Sequence, residues 1–119
     1  MVRKPLFRIL FVVWISLIAV LSLIPAPSGV VQVSDKLIHA VVYIITTVIC
    51  LLSLNRYVPR AVLFAGIGIF LYSFVIELVQ YFLPYRSFSV GDLAANITGI
   101  VTGVALLGVY HGVVGRHYR

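Results

Sequence analysis

Acidic side chains are scarce in this chain, which has 119 residues but only three Asp and Glu residues. Charged residues of both signs make up 10% of the sequence, whereas soluble domains contain about 25%. Hydrophobic residues account for 62%. We therefore predict a single integral-membrane domain over residues 1–119, with no room for a second domain.

Cysteine is also nearly absent, since Cys50 is the only one. No disulfide can form within the chain, and the apolar run around Cys50 favours a buried, unreactive thiol. Lys and Arg are more plentiful, and the net charge is +6. These basic residues lie at the ends of apolar segments and leave no surface that interleaves basic and aromatic residues, so no nucleic-acid partner is predicted.

Four apolar stretches are long enough to cross a bilayer as helices, which takes about 20 residues each. They cover approximately residues 6–24, 35–54, 61–83 and 92–114. Proline at their edges fits helix starts and stops. The first stretch could instead be a cleaved signal peptide, but its apolar run exceeds the roughly 7–15 residues usual for one. The sequence predicts an all-α fold, a four-helix transmembrane bundle with antiparallel neighbours.

Basic residues are distributed unequally between the two sides of this predicted bundle. Only Lys36 and Arg86 lie on the side of the first and third connections. The opposite side has Arg3, Lys4, Arg8, Arg56, Arg60, Arg116 and Arg119. The positive-inside rule then predicts that both termini are cytoplasmic.

Each of the three acidic residues has a polar partner at helical spacing. The pairs are Asp35 with His39, Glu77 with Gln80, and Asp92 with Asn96. In the predicted topology all six side chains lie in the outer half of the bundle, together with Lys36 and Arg86. Because ionisable groups at membrane depth usually have a partner or a function, we expect one polar pocket that opens outward.

The fourth predicted helix supports an inward orientation of its polar residues. Asp92, Asn96, Gly99 and Gly103 follow one another at spacings of four, three and four residues, which places them on one helix face. Glycine at two of these positions allows a neighbouring helix to approach closely. Asp92 and Asn96 are therefore expected to point into the bundle.

These residues suggest two kinds of chemistry. Lys36 and Arg86, beside the N-termini of the second and fourth helices, suit a phosphate or carboxylate. The other residues of the predicted ligand-binding set are Gln80, Asp92 and Asn96. Alternatively, Asp35, His39 and Glu77 form a candidate catalytic set, with Asp35–His39 or Glu77 as general base.

A divalent-metal site is a further alternative, built from Asp35, His39, Glu77 and Asp92. The sequence contains no spacing typical of zinc or iron ligands. No metal and no cofactor are therefore predicted, and the oligomeric state stays open.

Three motifs occur in order along successive predicted helices. Residues 35–39 match D-K-x-x-H, residues 77–80 match E-x-x-Q, and residues 86–99 match R-x5-D-x3-N-x2-G, with Gly103 following. In this order and in a chain of this length, the motifs resemble those of the VanZ-like family. The resemblance implies a bacterial membrane protein that acts near the cell envelope. Combined with the predicted topology, it leads us to expect a multi-pass protein of the bacterial cytoplasmic membrane whose pocket faces the extracytoplasmic side. The founding member is associated with low-level resistance to the glycopeptide teicoplanin, and the resemblance does not supply a reaction.

Three functional hypotheses follow. The first is a protein that recognises an anionic lipid-linked component of the cell envelope, or a glycopeptide-type ligand, in an outward pocket. The second is a membrane enzyme that modifies a lipid headgroup by acid–base chemistry with Asp35, His39 and Glu77. The third is a structural or assembly subunit whose polar core specifies helix pairing.

Overall fold

The computed structural model describes residues 3–24, 35–54, 58–84 and 90–117, without the side chains of residues 3, 4, 35 and 113–117. It has four α-helices, which are α1 (Arg3–Leu23), α2 (Asp35–Ser53), α3 (Pro59–Tyr81) and α4 (Val90–His117). No strand occurs among these described residues. The predicted all-α, four-helix architecture is therefore confirmed.

The helix boundaries differ from the predicted ones by a few residues. Helix α3 begins at Pro59, after Val58 in an extended conformation, because proline is well suited to the first turn of a helix. The same helix ends at Tyr81, three residues before Pro84. Helix α4 continues to His117, since polar and glycine residues beyond the apolar stretch still allow helical backbone.

All four helices are long and apolar enough to cross a membrane. Large apolar side chains cover their outer faces, as Phe64, Leu71, Val101 and Val109 illustrate. In water such a surface would promote association, whereas in a bilayer it contacts lipid. The chain is thus a multi-pass membrane protein, while the cytoplasmic location of its termini stays a prediction.

Helices α2 and α4 form the most extensive helix contact in the molecule. A Cβ atom at Gly99 would clash with the backbone carbonyl oxygen of Ala40. A Cβ atom at Gly103 would lie 2.8 Å from Cβ of Thr47. Glycine at both positions lets the two backbones approach closely, and this contact turns the Asn96 face of α4 toward α2.

Helix α1 is attached to α2 and α3 by side-chain hydrogen bonds. Trp14 Nε1 donates to Thr46 Oγ1 over 2.8 Å, and the Tyr72 hydroxyl donates to the carbonyl oxygen of Ile15. Near the end of α1, Gln80 Nε2 donates to the carbonyl oxygen of Ser22 over 2.8 Å. Such bonds matter inside a bilayer, because lipid offers no alternative partner to a polar group.

The interior of the bundle is unusually polar. The largest fully buried side chains are those of Glu77, Asn96, Thr46, Thr47 and Ser73. Tyr43, Ile69 and Ile100 form a small apolar cluster, and few other large apolar side chains are buried, namely Ile18, Leu51, Ile76 and Leu107. In a membrane protein, apolar side chains gain little by moving from lipid into the interior, so the interior is available for polar residues.

Candidate functional site

One end of the bundle gathers charged and amide side chains from three helices. Lys36 Nζ of α2 lies 2.5 Å from Asp92 Oδ1 of α4, which places the N-termini of these two helices side by side. We call Lys36, His39, Glu77, Asp92 and Asn96 the polar cluster. This arrangement agrees with the prediction from the sequence, which placed these five residues at the same end of the bundle.

His39 is held by two residues of α4. Its Nδ1 atom lies 2.9 Å from Asn96 Oδ1, and because an amide oxygen only accepts hydrogen bonds, Nδ1 is the donor. Its Nε2 atom lies 3.6 Å from Asp92 Oδ2. Both ring nitrogens therefore face α4, and Asn96 determines the orientation of the ring.

Glu77 brings a second carboxylate to the polar cluster from α3. Its side chain is 1% exposed, as is that of Asn96. One ligand atom from each of His39, Glu77 and Asp92 can be chosen so that all three lie within 4.8 Å of one another. A buried carboxylate next to a second carboxylate and an imidazole is costly unless a proton or a cation neutralises part of the charge.

The polar cluster adjoins a cavity of about 260 Å³ between α1, α2 and α3, slightly below the roughly 300–1,000 Å³ of typical small-molecule pockets. Apolar side chains line much of the wall, among them Leu17, Ile18 and Ile76. The polar lining consists of Ser22, His39, Tyr43, Ser73, Glu77, Gln80 and Asn96. The cavity thus combines an apolar wall with polar groups that converge on the cluster.

The structure brings some of the predicted site residues together at the cavity and does not describe others. His39, Glu77 and Asn96 line the cavity, and Lys36 and Asp92 form an ion pair beside it. Gln80 also lines the cavity, but its amide donates to α1. Arg86 and the side chain of Asp35 lie outside the described residues, so their predicted roles stay predictions.

Two further cavity residues were not singled out by the sequence. Tyr43 lies four residues after His39 on α2, and Ser73 lies four residues before Glu77 on α3. Residues separated by four positions share a helix face, so this spacing could have identified both. Trp14 contributes from α1, and no motif in the sequence distinguishes it from other interfacial aromatic residues.

Comparison with known proteins gives a family match over most of the chain. The family model described as VanZ/LLP1 matches residues 6–111. A Schizosaccharomyces pombe protein described as uncharacterized is 32% identical over 114 residues, which cover 92% of this chain and 67% of that protein. No solved structure matches the chain.

Proposed function

Because the chain belongs to the VanZ/LLP1 family, we propose that it is a membrane protein that binds an anionic, lipid-linked component of the cell envelope, or a glycopeptide-type ligand, at the polar cluster. The similar fission-yeast protein makes a bacterial source a prediction rather than a consequence of the family. The links to antibiotic resistance and to the bacterial inner membrane are likewise predictions. The extracytoplasmic opening of the pocket is part of this proposal.

The cavity is the observation that carries the proposal. Its apolar wall along α1 suits the chain of a lipid, while His39, Glu77 and Asn96 offer hydrogen-bonding groups at one end. Pockets that fix a ligand with a few polar groups on an apolar wall are typical of small-molecule sites. A molecule with a polar headgroup and an apolar chain matches this division.

Positive charge next to the cavity favours an anionic headgroup. The N-termini of α2 and α4 each carry partial positive charge, and the Lys36–Asp92 ion pair joins them. The side chain of Lys36 is 52% exposed, and in the proposal its ammonium group contacts the headgroup as well as Asp92. In the proposal, Arg86 adds a second full positive charge from the connection between α3 and α4.

A polyprenyl phosphate and the corresponding uncharged polyprenol test this proposal, because they differ only in the phosphate. We expect the protein in detergent to retain the phosphate in preference to the alcohol, as measured by native mass spectrometry. Lys36→Met and Arg86→Met should each weaken retention. Arg60→Met is the matched control, since Arg60 lies in the first turn of α3, at the opposite end of the bundle. Equal retention of both lipids, or an equal loss in the Arg60 control, contradicts the proposal.

Acid–base catalysis on the same headgroup is the second candidate function. The orientation of His39 by Asn96, with Glu77 and Asp92 nearby, resembles the way a general base is held in enzymes. Incubation of the protein with envelope lipids, followed by mass spectrometry, distinguishes catalysis from binding. A lipid of changed mass that wild type makes and Glu77→Gln does not make supports an enzyme. Unchanged masses with wild type contradict it.

A further inference from the structure

We propose that His39, Glu77 and Asp92 bind a divalent transition-metal ion of the Zn²⁺ or Mn²⁺ class. The metal site goes beyond the proposed function and does not depend on the identity of the lipid. One imidazole and two carboxylates are a ligand set that such ions accept. The three ligands come from three different helices, which explains why no ligand spacing was visible in the sequence.

The distances suit a single ion. With metal–nitrogen and metal–oxygen bonds of about 2.0–2.1 Å, the 3.6 Å between His39 Nε2 and Asp92 Oδ2 corresponds to an angle of about 120° at the metal. The three ligand atoms lie within 4.8 Å of one another, whereas two ligand atoms of a tetrahedral ion are about 3.4 Å apart. Combined side-chain movements of up to about 1.4 Å therefore bring all three into bonding range of a tetrahedral ion.

The surroundings of His39 match those of metal-bound histidines. Such a histidine commonly donates its second ring N–H to an oxygen acceptor, which directs the other nitrogen at the metal. Here Nδ1 donates to Asn96 Oδ1, so in the neutral ring Nε2 carries the lone pair, and this atom lies 3.6 Å from Asp92 Oδ2. Two lone pairs that face each other repel, and a cation between them removes the repulsion.

The charges of the site also favour a cation. Two carboxylates, Glu77 and Asp92, face one ammonium group, Lys36, which is bound to Asp92 Oδ1. The 1% exposure of Glu77 removes the water that would otherwise stabilise its charge. A divalent ion changes the summed formal charge of Glu77, Asp92 and Lys36 from −1 to +1. The adjoining cavity leaves space for an additional ligand. The positive charge that results favours a phosphate headgroup. This consequence, unlike the metal site itself, rests on the proposed function.

Zn²⁺ is the first probe, on wild-type protein purified without a histidine tag and stripped with a chelator. We expect one Zn²⁺ per chain by elemental analysis, and an absorption spectrum at the zinc edge that shows one imidazole with oxygen ligands. Glu77→Gln and Asp92→Asn should each weaken binding by more than the roughly 10–100-fold that is typical of losing a residue that only hydrogen-bonds a metal ligand. His111→Gln is the control, because His111 is exposed on α4 and does not belong to the cluster.

Asn96→Leu tests the positioning role separately. Loss of the Nδ1 acceptor should weaken Zn²⁺ binding about 10–100-fold without changing the number of imidazole ligands. Absence of stoichiometric Zn²⁺ and Mn²⁺ in wild type, or equal loss of binding in His111→Gln, overturns the metal site. The zinc-edge spectrum of the wild-type protein tests the metal site even if a variant fails to fold. Tight Zn²⁺ binding with lipid retention that is insensitive to chelator keeps the metal site and rejects its link to the headgroup.

Discussion

At the scale of single residues, the side chain that is missing at Gly99 is as important as those that form the cluster. The hydrogen atom of this glycine faces the backbone of α2 at Ala40 and the Cβ atom of Tyr43. Backbone atoms cannot move aside as a flexible side chain would. The close contact of α2 and α4 therefore tolerates no methyl group at this position.

Gly99→Ala should destabilise the protein by about 1–3 kcal/mol, the usual cost of overpacking. Thermal unfolding in detergent measures the change. Gly68→Ala is the matched control, because a Cβ atom there meets nothing within 4 Å. An unfolding temperature of Gly99→Ala equal to that of Gly68→Ala would show that the two helices separate easily.

Asn96 is a single polar residue that also contributes to the contact between α2 and α4. It is 1% exposed, and it accepts a hydrogen bond from His39. Asn96→Leu should lower stability by about 1 kcal/mol, since the partly buried Nδ1 donor of His39 then loses its partner. Thr98→Val is the control, because Thr98 is exposed and its hydroxyl donates to the carbonyl oxygen of Ala94 in its own helix. Equal unfolding temperatures for the two variants would argue against a structural role for the His39–Asn96 bond.

At the scale of helices, α1 is the least buried of the four and is held partly by hydrogen bonds from α3. Only 6% of its membrane span is buried, against 22–28% for the other three. Tyr72 and Gln80, both on α3, donate to backbone carbonyl oxygens of α1. Because α1 forms one wall of the cavity, its position determines the access of a ligand to the polar cluster.

The double variant Tyr72→Phe with Gln80→Leu should loosen α1. Each hydrogen bond between membrane helices contributes about 0.6 kcal/mol on average, so we expect a loss of about 1 kcal/mol. Spin labels on α1 and α3, in a Cys50→Ala background, should show a broader distance distribution than in the parent. Tyr81→Phe, at an exposed tyrosine, is the control and should leave the distribution unchanged. A distribution of the parent width in the double variant would mean that apolar packing alone holds α1.

At the scale of the whole molecule, the membrane orientation decides which compartment supplies the ligand. Four spanning helices place the start of α1 and the end of α4 on the same side. The polar cluster lies at the other end, where α2 and α4 begin. The excess of basic residues near the termini predicts that this end faces away from the cytoplasm.

Single cysteines in the Cys50→Ala background test the orientation in intact cells. A membrane-impermeant maleimide should label Ser28→Cys and Ser87→Cys, which lie in the first and third connections. It should label Val58→Cys only after the membrane is permeabilised. The reverse pattern would place the polar cluster on the cytoplasmic side and would make an extracytoplasmic ligand untenable.

The sequence alone determined the membrane character, the four helices and the residue types of the site. Spanning helices are recognisable because bilayer thickness sets their length and lipid sets their composition. The scarcity of charge made Glu77 and Asp92 conspicuous. The spacing on α4 also predicted an inward face for Asn96 and Gly99, because neighbours within one helix follow from its regular geometry.

Only the tertiary structure decided which residues of different helices meet. His39 contacts Asn96 and Asp92 of α4, and Gln80 is bonded to α1. The cavity and the proximity of His39, Glu77 and Asp92 from three helices also arise from helix packing. The rotation and separation of packed helices depend on close contacts such as that of Gly99 with Ala40, which the spacing of residues within one helix does not express.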